Sequence, residues 1–289
     1  MITSMSNKNL KMITGLLAKA KERKSRQLFV TEGIKMFLEA PQDRIRQVYI
    51  SEELERELAS ANFGDAQDKE HALSSLDMHK TKEKLSELRA EGVTVETVVS
   101  EVFKKVCDTV TPQGILCVVT FADHKEEDLR AAGEKGLYLV LEDVQDPGNL
   151  GTIIRAGEGA GLSGVILSKG CVDIYNPKVV RATMGSIYRV PFLYKEDIGL
   201  AVDELKKAGV SVFAAELQAK DSYDRADYLG PVAFLLGNEG KGLSKGMIER
   251  ADHKIIIPML GQVESLNVAV AANLLLYEVA RQRRGNKNL

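Results

Sequence analysis

The stretch Leu137–Gly151, LYLVLEDVQDPGNLG, is a short apolar run that breaks into a loop of acids, Pro, Gly and Asn and then enters a helical pattern. The same grammar returns twice downstream. Val232–Leu236 runs into Gly237-Asn238-Glu239-Gly240-Lys241-Gly242, and Lys254–Ile257 runs into Pro258-Met259-Leu260-Gly261 and on to Glu264-Ser265-Leu266-Asn267. Two more apolar runs, Val165–Leu167 and Val212–Ala215, lie between them, separated by helical segments. Strands alternating with helices make βα units. The C-terminal half therefore reads as an α/β fold with a mostly parallel sheet and helices on both faces.

Loops at the carboxyl ends of parallel strands are where open α/β sheets bind ligands, and glycine there lets a ligand come close to the backbone. Three such loops converging would form one pocket lined by main-chain donors and acceptors, which suits an adenine-containing ligand. A formal GxGxxG occurs at Gly159-Ala160-Gly161-Leu162-Ser163-Gly164. It follows a helical segment, Leu150–Glu158, and precedes the strand Val165–Leu167. A dinucleotide site needs the opposite order, so these glycines read as a helix C-cap and turn. No GxxxxGK[ST] is present, which weakens a nucleoside triphosphate reading.

Outward from this half, Ala122–Lys135 is strongly polar and reads as a linker between an N-terminal domain, 1–121, and the C-terminal domain, 136–289. The N-terminal domain reads as a smaller α/β unit. A basic helix, Leu10–Lys24, leads to a strand at Leu28–Val30 and a helix from near Glu32. Further strands are expected at Gln47–Ile50, Val93–Val98 and Ile115–Val119, with helices over Glu52–Ala61 and Thr81–Glu91.

The chain carries a net charge of −2, but residues 1–30 hold Lys8, Lys11, Lys19, Lys21, Arg23, Lys24 and Arg26 against Glu22 alone, a local charge of +6. Such an excess is how a phosphate-binding surface hides behind an acidic chain. Leu10, Ile13, Leu16, Leu17 and Ala20 repeat at helical spacing, so a solvated helix face is a second reading. A mitochondrial presequence is a third. Cys107, Cys117 and Cys171 form no CxxC pair and read as buried thiols of a cytoplasmic protein. No HExxH, zinc-knuckle or GxSxG pattern occurs, so no metal is expected. The longest apolar stretch, Val268–Tyr277, is about half of a membrane span. The final helix, Asn267–Arg284, is apolar nearly all round, which calls either for a second subunit or for burial in a large core.

Three stretches, taken in order, resemble the motifs of the SpoU/TrmH methyltransferases of the SPOUT superfamily: N-x-G-x-x-x-R (Asn149, Gly151, Arg155), G-N-E-G-x-G-L (Gly237–Leu243) and I-P-M-x-G-x-x-E-S-L-N-V-A-V-A (Ile257–Ala271). Phe29–Gly33 and Thr111–Gly114 resemble stretches of that family's substrate-binding domain. The resemblance implies a deep trefoil knot, a homodimer, S-adenosylmethionine as cofactor, and methylation of a ribose 2′-hydroxyl in RNA, with ribosomal RNA preferred to transfer RNA. Carried over residue by residue, Gly237, Ile257 and Leu266 would hold the cofactor, with Leu235 and Met259 nearby. Arg155, Glu239, Ser265 and Asn267 would form the reacting centre, and Asn149 would help position Arg155. Lys19, Lys21, Arg23, Lys24, Arg26 and Arg181 are the candidate RNA contacts. Where the family often shows Arg-Ala-Ser-x-Gly-Ala, this chain has Arg181-Ala182-Thr183-Met184-Gly185-Ser186, which keeps the hydroxyl and the small volume.

In this reading Arg155 orients the target nucleotide through its phosphate and stabilises the developing alkoxide. Arginine holds its proton far above neutral pH, so water, a phosphate oxygen or Glu239 takes the hydroxyl proton. Ser265 or Asn267 also suits the N-cap of the last helix. The competing functions are a transfer-RNA methyltransferase, a base methyltransferase, a non-catalytic RNA-binding assembly factor and a nucleotide-dependent oxidoreductase.

Overall fold

The computed structural model describes residues 1–60, 72–130 and 133–285. In chain order its elements begin α1 (Lys8–Ala18), α2 (Ala20–Arg26), β1 (Leu28–Glu32), α3 (Ile34–Glu39), β2 (Ile45–Ser51), α4 (Glu52–Ser60), α5 (Ala72–Ala90), β3 (Thr94–Val98), α6 (Ser100–Val106) and β4 (Ile115–Thr120). They continue α7 (Glu126–Arg130), β5 (Leu137–Leu141), α8 (Pro147–Ala160), β6 (Gly164–Ser168), α9 (Pro177–Thr183), β7 (Phe192–Lys195), α10 (Ile198–Lys207) and β8 (Ser211–Ala215). The last are β9 (Asp221–Ser222), β10 (Val232–Leu236), α11 (Lys245–Arg250), β11 (His253–Ile256) and α12 (Val268–Gly285). Residue 61, the expected end of a helix, and residues 131–132 of the expected linker lie outside the described residues.

Contacts divide the chain into two units. One comprises Met1–Ala122 with Tyr175–Tyr188, the other Asp123–Ile174 with Arg189–Leu289. The first unit is built on a four-stranded mixed sheet in the order β1-β4-β2-β3, with β2 and β3 parallel and the other pairs antiparallel. Leu10, Ile13 and Leu16 of α1 join Val102, Phe103 and Val106 of α6 over Val30, Tyr49, Leu116 and Val118 in one core. The basic segment is thus the outer face of a packed helix. It is also two helices, not one: Lys19 is extended (φ −127°, ψ 118°), which ends α1 and starts α2. The excursion Tyr175–Tyr188, which carries α9, packs into this unit through stacked Phe121 and Tyr175 rings, 3.8 Å apart, and a bond from the Ala122 amide to the Tyr175 hydroxyl. A division by chain order alone does not contain that excursion. Thr183 is fully buried there and its hydroxyl donates to the Val180 carbonyl at 2.7 Å.

The second unit holds a seven-stranded sheet in the order β7-β6-β5-β10-β8-β11-β9, and every paired neighbour is parallel. Strand residues alternate between faces. Val140, Ile166, Ala214 and Leu235 meet Ala201 and Val202 of α10 and Met247 of α11 on one side. Phe213 and Phe234 meet Tyr228 on the other, where α12 packs on β10 and on α8. Gly159 faces α12 there, and a Cβ in its place would stand 2.9 Å from the Tyr277 hydroxyl. Gly161 ends α8 in the left-handed region (φ 85°), with Leu162 N–H closing onto the Gly157 carbonyl, so the GxGxxG glycines form a helix cap and turn. At the far end of α12, Arg283 donates to the carbonyls of Lys135, Gly136, Tyr228 and Gly230 and ties the helix to the starts of β5 and β10.

Candidate active site

Because β5, β10, β8 and β11 run parallel and adjacent, their carboxyl ends open on one edge of the sheet. The loop after β5 is shaped by Asp143, a non-glycine residue at φ 55° whose carboxylate accepts from the Ser168 hydroxyl at 2.6 Å. Its carbonyl accepts from Asn238 Nδ2 at 2.8 Å, which joins this loop to the one after β10. Asp146 then caps α8 by accepting from the Asn149 amide, and Pro147 opens the helix.

The loop after β10 closes on itself. Asn238 and Gly242 exchange main-chain bonds of 3.2 and 2.9 Å, and Asn238 Oδ1 accepts from Gly240 and Lys241 N–H. Gly237 lies under this closure: a Cβ there would stand 2.1 Å from the Gly242 carbonyl carbon, so no other residue fits without moving the loop. The Glu142 carboxylate accepts from Ser244 N–H at 2.7 Å and anchors the loop's far side.

Three of the expected reacting residues form one chain of bonds. Glu239 accepts from Asn149 Nδ2 at 3.0 Å and from the N–H groups of Asp146 and Gln145 at 3.1 and 3.3 Å. Asn267 Nδ2 donates to Asn149 Oδ1 at 2.9 Å, while Asn267 Oδ1 caps α12 by accepting from Ala269 and Val270 N–H. Asn267, not Ser265, is the helix cap. Partial burial works against the charge on Glu239, but the bonds from Asn149 and from the main-chain N–H groups of Glu239, Asp146 and Gln145 outweigh it and hold the carboxyl below the usual carboxylate range.

Beside this chain lies a cavity of about 270 Å³. Gly237 to Leu243, Ile257, Met259, Ser265 and Leu266 line it, together with Ala215, Glu216 and Leu217 from the end of β8. Apolar side chains and loop glycines make up most of its lining, with Glu216, Asn238, Glu239, Lys241 and Ser265 as the polar exceptions, a surface on which an adenine ring can pack. Sequence reasoning misses the β8 contribution because Ala215-Glu216-Leu217 has no Gly, Pro or Asn to mark it. The rule that ligands sit at carboxyl ends of parallel strands, applied to Val212–Ala215, finds it.

Three expectations, those for Leu235, for Asn149 and for Arg23, need correction. Leu235 is fully buried and its side chain belongs to the core under α10, because β10 is covered on both faces; it is not among the cavity's lining residues. Asn149 does not bond Arg155; its amide is used by Glu239 and Asn267. Arg155 is exposed on α8, with no hydrogen bond or ion pair to the described residues, and Ser265 is exposed too. In the first unit Arg23 is buried, at 3% exposure, and donates to the carbonyls of Leu16 and Leu17 at the end of α1, so it caps a helix and is withdrawn from solvent. Lys19, Lys21, Lys24 and Arg26 are exposed, Arg26 paired with Glu22 at 3.1 Å. Arg181 pairs with Asp108 at 3.1 Å. Among the described residues no cluster of His, Cys, Asp or Glu is placed to hold a metal ion, and no helix is long and apolar enough to cross a membrane.

Residues 136–277 match the model of the SpoU rRNA Methylase family, and residues 7–117 match that of an MRM3-like substrate binding domain. The chain is 38% identical over 188 residues to the 23S rRNA guanosine-2′-O-methyltransferase RlmP of Bacillus subtilis, covering 65% of this chain and 73% of that one. It is 36% identical over 200 residues to the 23S rRNA guanosine-2′-O-methyltransferase RlmB of Xylella fastidiosa, covering 68% and 80%. The crystal structure of an AdoMet-bound rRNA methyltransferase from Sinorhizobium meliloti superposes with a TM-score of 0.73 at 27% identity, over 97% of each chain. With its parallel sheet, its joined loops and these matches, the chain belongs to the SpoU rRNA methylase family.

Proposed function

We propose that this protein transfers a methyl group from S-adenosylmethionine to a ribose 2′-hydroxyl of ribosomal RNA. The observation that carries the reading is the bonded set Glu239–Asn149–Asn267, which ties together the loop after β10, the first turn of α8 and the start of α12 beside a cavity lined mostly by apolar side chains and loop glycines. Relatives named as 23S rRNA 2′-O-methyltransferases and an AdoMet-bound structural neighbour support it.

Gly237, Ile257, Met259 and Leu266 would hold the cofactor, which supplies a methyl group already activated on a sulfonium. What remains for the chain is alignment and management of one proton, and alignment alone lowers barriers by about 7–11 kcal/mol in favourable cases. Arg155, exposed and with no partner among the described residues, is the cation that engages the target phosphate and steadies the alkoxide as the hydroxyl ionises. Glu239 is a weak base, because its donors favour the ionised form. Its charge instead holds the loops after β5 and β10 in register, and the proton leaves to water or to a phosphate oxygen of the RNA. Ser265, exposed at the cavity, is positioned to bond the incoming nucleotide.

The basic face of α1 and α2 in the 1–121 domain, through Lys19, Lys21, Lys24 and Arg26, binds RNA phosphates, as does Arg181 beside Asp108. Homodimerisation is supported by an apolar stripe one helix face wide on α12, where Val270, Leu274 and Tyr277 stay 47%, 37% and 48% exposed. A trefoil knot in the 136–289 domain and a cytoplasmic setting complete the reading. The assay is methyl incorporation into ribosomal RNA by wild type and Arg155→Ala. The variant should lose at least about a hundredfold in rate, the scale of one preorganised charge contact. A variant at near wild-type rate would remove Arg155 from the mechanism.

A further inference from the structure

The cavity described above carries three charged lining residues, Glu216, Glu239 and Lys241. Two of these are accounted for: Glu239 is bonded into the loops, and Lys241 is exposed on the loop after β10. Glu216 is different. It stands at the carboxyl end of β8, half-buried, with its N–H donating to the Ile255 carbonyl at 3.0 Å and its own carbonyl accepting from Ala219 N–H at 3.2 Å. Its backbone is therefore pinned on both sides. Its carboxylate makes no hydrogen bond or ion pair to any described residue, in a cavity lined otherwise by apolar side chains, loop glycines, Asn238, Ser265 and the two charged residues just named.

A carboxylate that uses neither oxygen on the protein leaves both to accept from donors that a bound molecule brings into the cavity. We infer that Glu216 is the specificity residue for the adenosine ribose of the cofactor, accepting from its vicinal 2′- and 3′-hydroxyls. This rests on the methyl-donor reading of the cavity. Two features favour the ribose. First, β8 lies beyond β10 from β5 in the sheet, so Glu216 sits away from the loop after β5 and α8, which carry Asn149 and Arg155. Second, the two oxygens of an ionised carboxylate accept from two adjacent hydroxyls at once, a pairing that charge makes strong. An acidic residue near a strand end is also how dinucleotide-binding parallel sheets hold a ribose hydroxyl. Nothing in the texture of Ala215-Glu216-Leu217 announces this role, because it depends on the order of strands and not on the loop's composition.

The test is calorimetric titration of the full chain with S-adenosylmethionine and with 5′-methylthioadenosine, which keeps the adenosine and lacks the amino acid. Glu216→Ala should weaken both ligands by the same factor, about tenfold or more, with Glu216→Gln between it and wild type. The melting temperature without ligand should not move, since the side chain bonds no described residue. Unchanged affinity for both ligands in Glu216→Ala would overturn the inference. Weakening of S-adenosylmethionine alone would also overturn it, by assigning Glu216 to the amino-acid ammonium, and an equal fall in the unliganded melting temperature would make the residue structural. A wild type that binds neither ligand would sink the methyl-donor reading itself, a failure distinct from any of these.

Discussion

Replacing Gly237 with alanine is a one-carbon change whose consequence follows from three distances. The new Cβ would stand 2.1 Å from the Gly242 carbonyl carbon, 2.2 Å from the Leu243 nitrogen and 2.3 Å from the Gly242 oxygen. These are backbone atoms and cannot rotate away. To reach ordinary van der Waals separation the Gly242–Leu243 segment must retreat by about 1.3 Å. That motion strains the two main-chain bonds between Asn238 and Gly242, each worth about 0.5–1.5 kcal/mol net, so these bonds alone account for a loss of about 1–3 kcal/mol of fold stability. The larger effect is on the cavity, since the displaced segment is one of its walls. We expect S-adenosylmethionine affinity to fall by about ten- to a hundredfold, or ~1.4–2.8 kcal/mol. Gly246 supplies the control. It lies in α11 outside the cavity lining, and a Cβ there meets nothing within 4 Å, so Gly246→Ala should bind the cofactor as wild type does. Calorimetric titration of both variants reads the difference. Wild-type affinity in Gly237→Ala, or equal losses in the two variants, would refute the reasoning that the tight closure over Gly237 shapes the site.

Glu239 has a folded pKa below its unfolded value of about 4.5, so it contributes stability that is present above that pH and lost as pH falls through the folded value. Wild type should therefore lose melting temperature faster than Glu239→Gln on acidification below about pH 5, and parallel curves would contradict the assignment. In the first unit, Arg23→Gln should cost about 1–3 kcal/mol of stability in urea denaturation, because it leaves carbonyls at the end of α1 without their buried donor. Lys21→Gln and Lys24→Gln should leave stability alone and flatten the logarithmic salt dependence of RNA binding by about 0.7–0.9 for each phosphate no longer neutralised. For the proposed homodimer, Leu274→Glu on the exposed stripe of α12 should lower the sedimentation coefficient from a dimer's to a monomer's, whereas an unchanged coefficient would point to another interface.

Much of the second unit is legible because its strands are short apolar runs bounded by loop residues. Leu137–Leu141 and Val232–Leu236 form β5 and β10 as read, and the inverted GxGxxG is the cap and turn that its order implies. Other features depend on tertiary position. Leu235 looks like a residue beside a glycine loop, yet a central strand covered on both faces sends its side chain into the core. Arg23 looks like one more cation on a basic helix, and only the break at Lys19 turns it back onto the carbonyls of α1. That break carries no Gly or Pro. Proximity in the motif ties Asn149 to Arg155, but hydrogen bonding pairs it with Glu239 and Asn267, 90 and 118 residues away. The packing of Tyr175–Tyr188 with the first unit likewise rests on ring contacts to Phe29 and Phe121 that no local pattern encodes.

The measurement that bears most directly on the central claim is product analysis. Ribosomal RNA made without modification is incubated with the protein and methyl-labelled S-adenosylmethionine, then hydrolysed in alkali. A 2′-O-methyl group removes the nucleophile that alkali uses to cleave the adjacent phosphodiester. The account predicts label in alkali-resistant dinucleotides, dependent on Arg155. Label released in mononucleotides would mean base methylation and would contradict it.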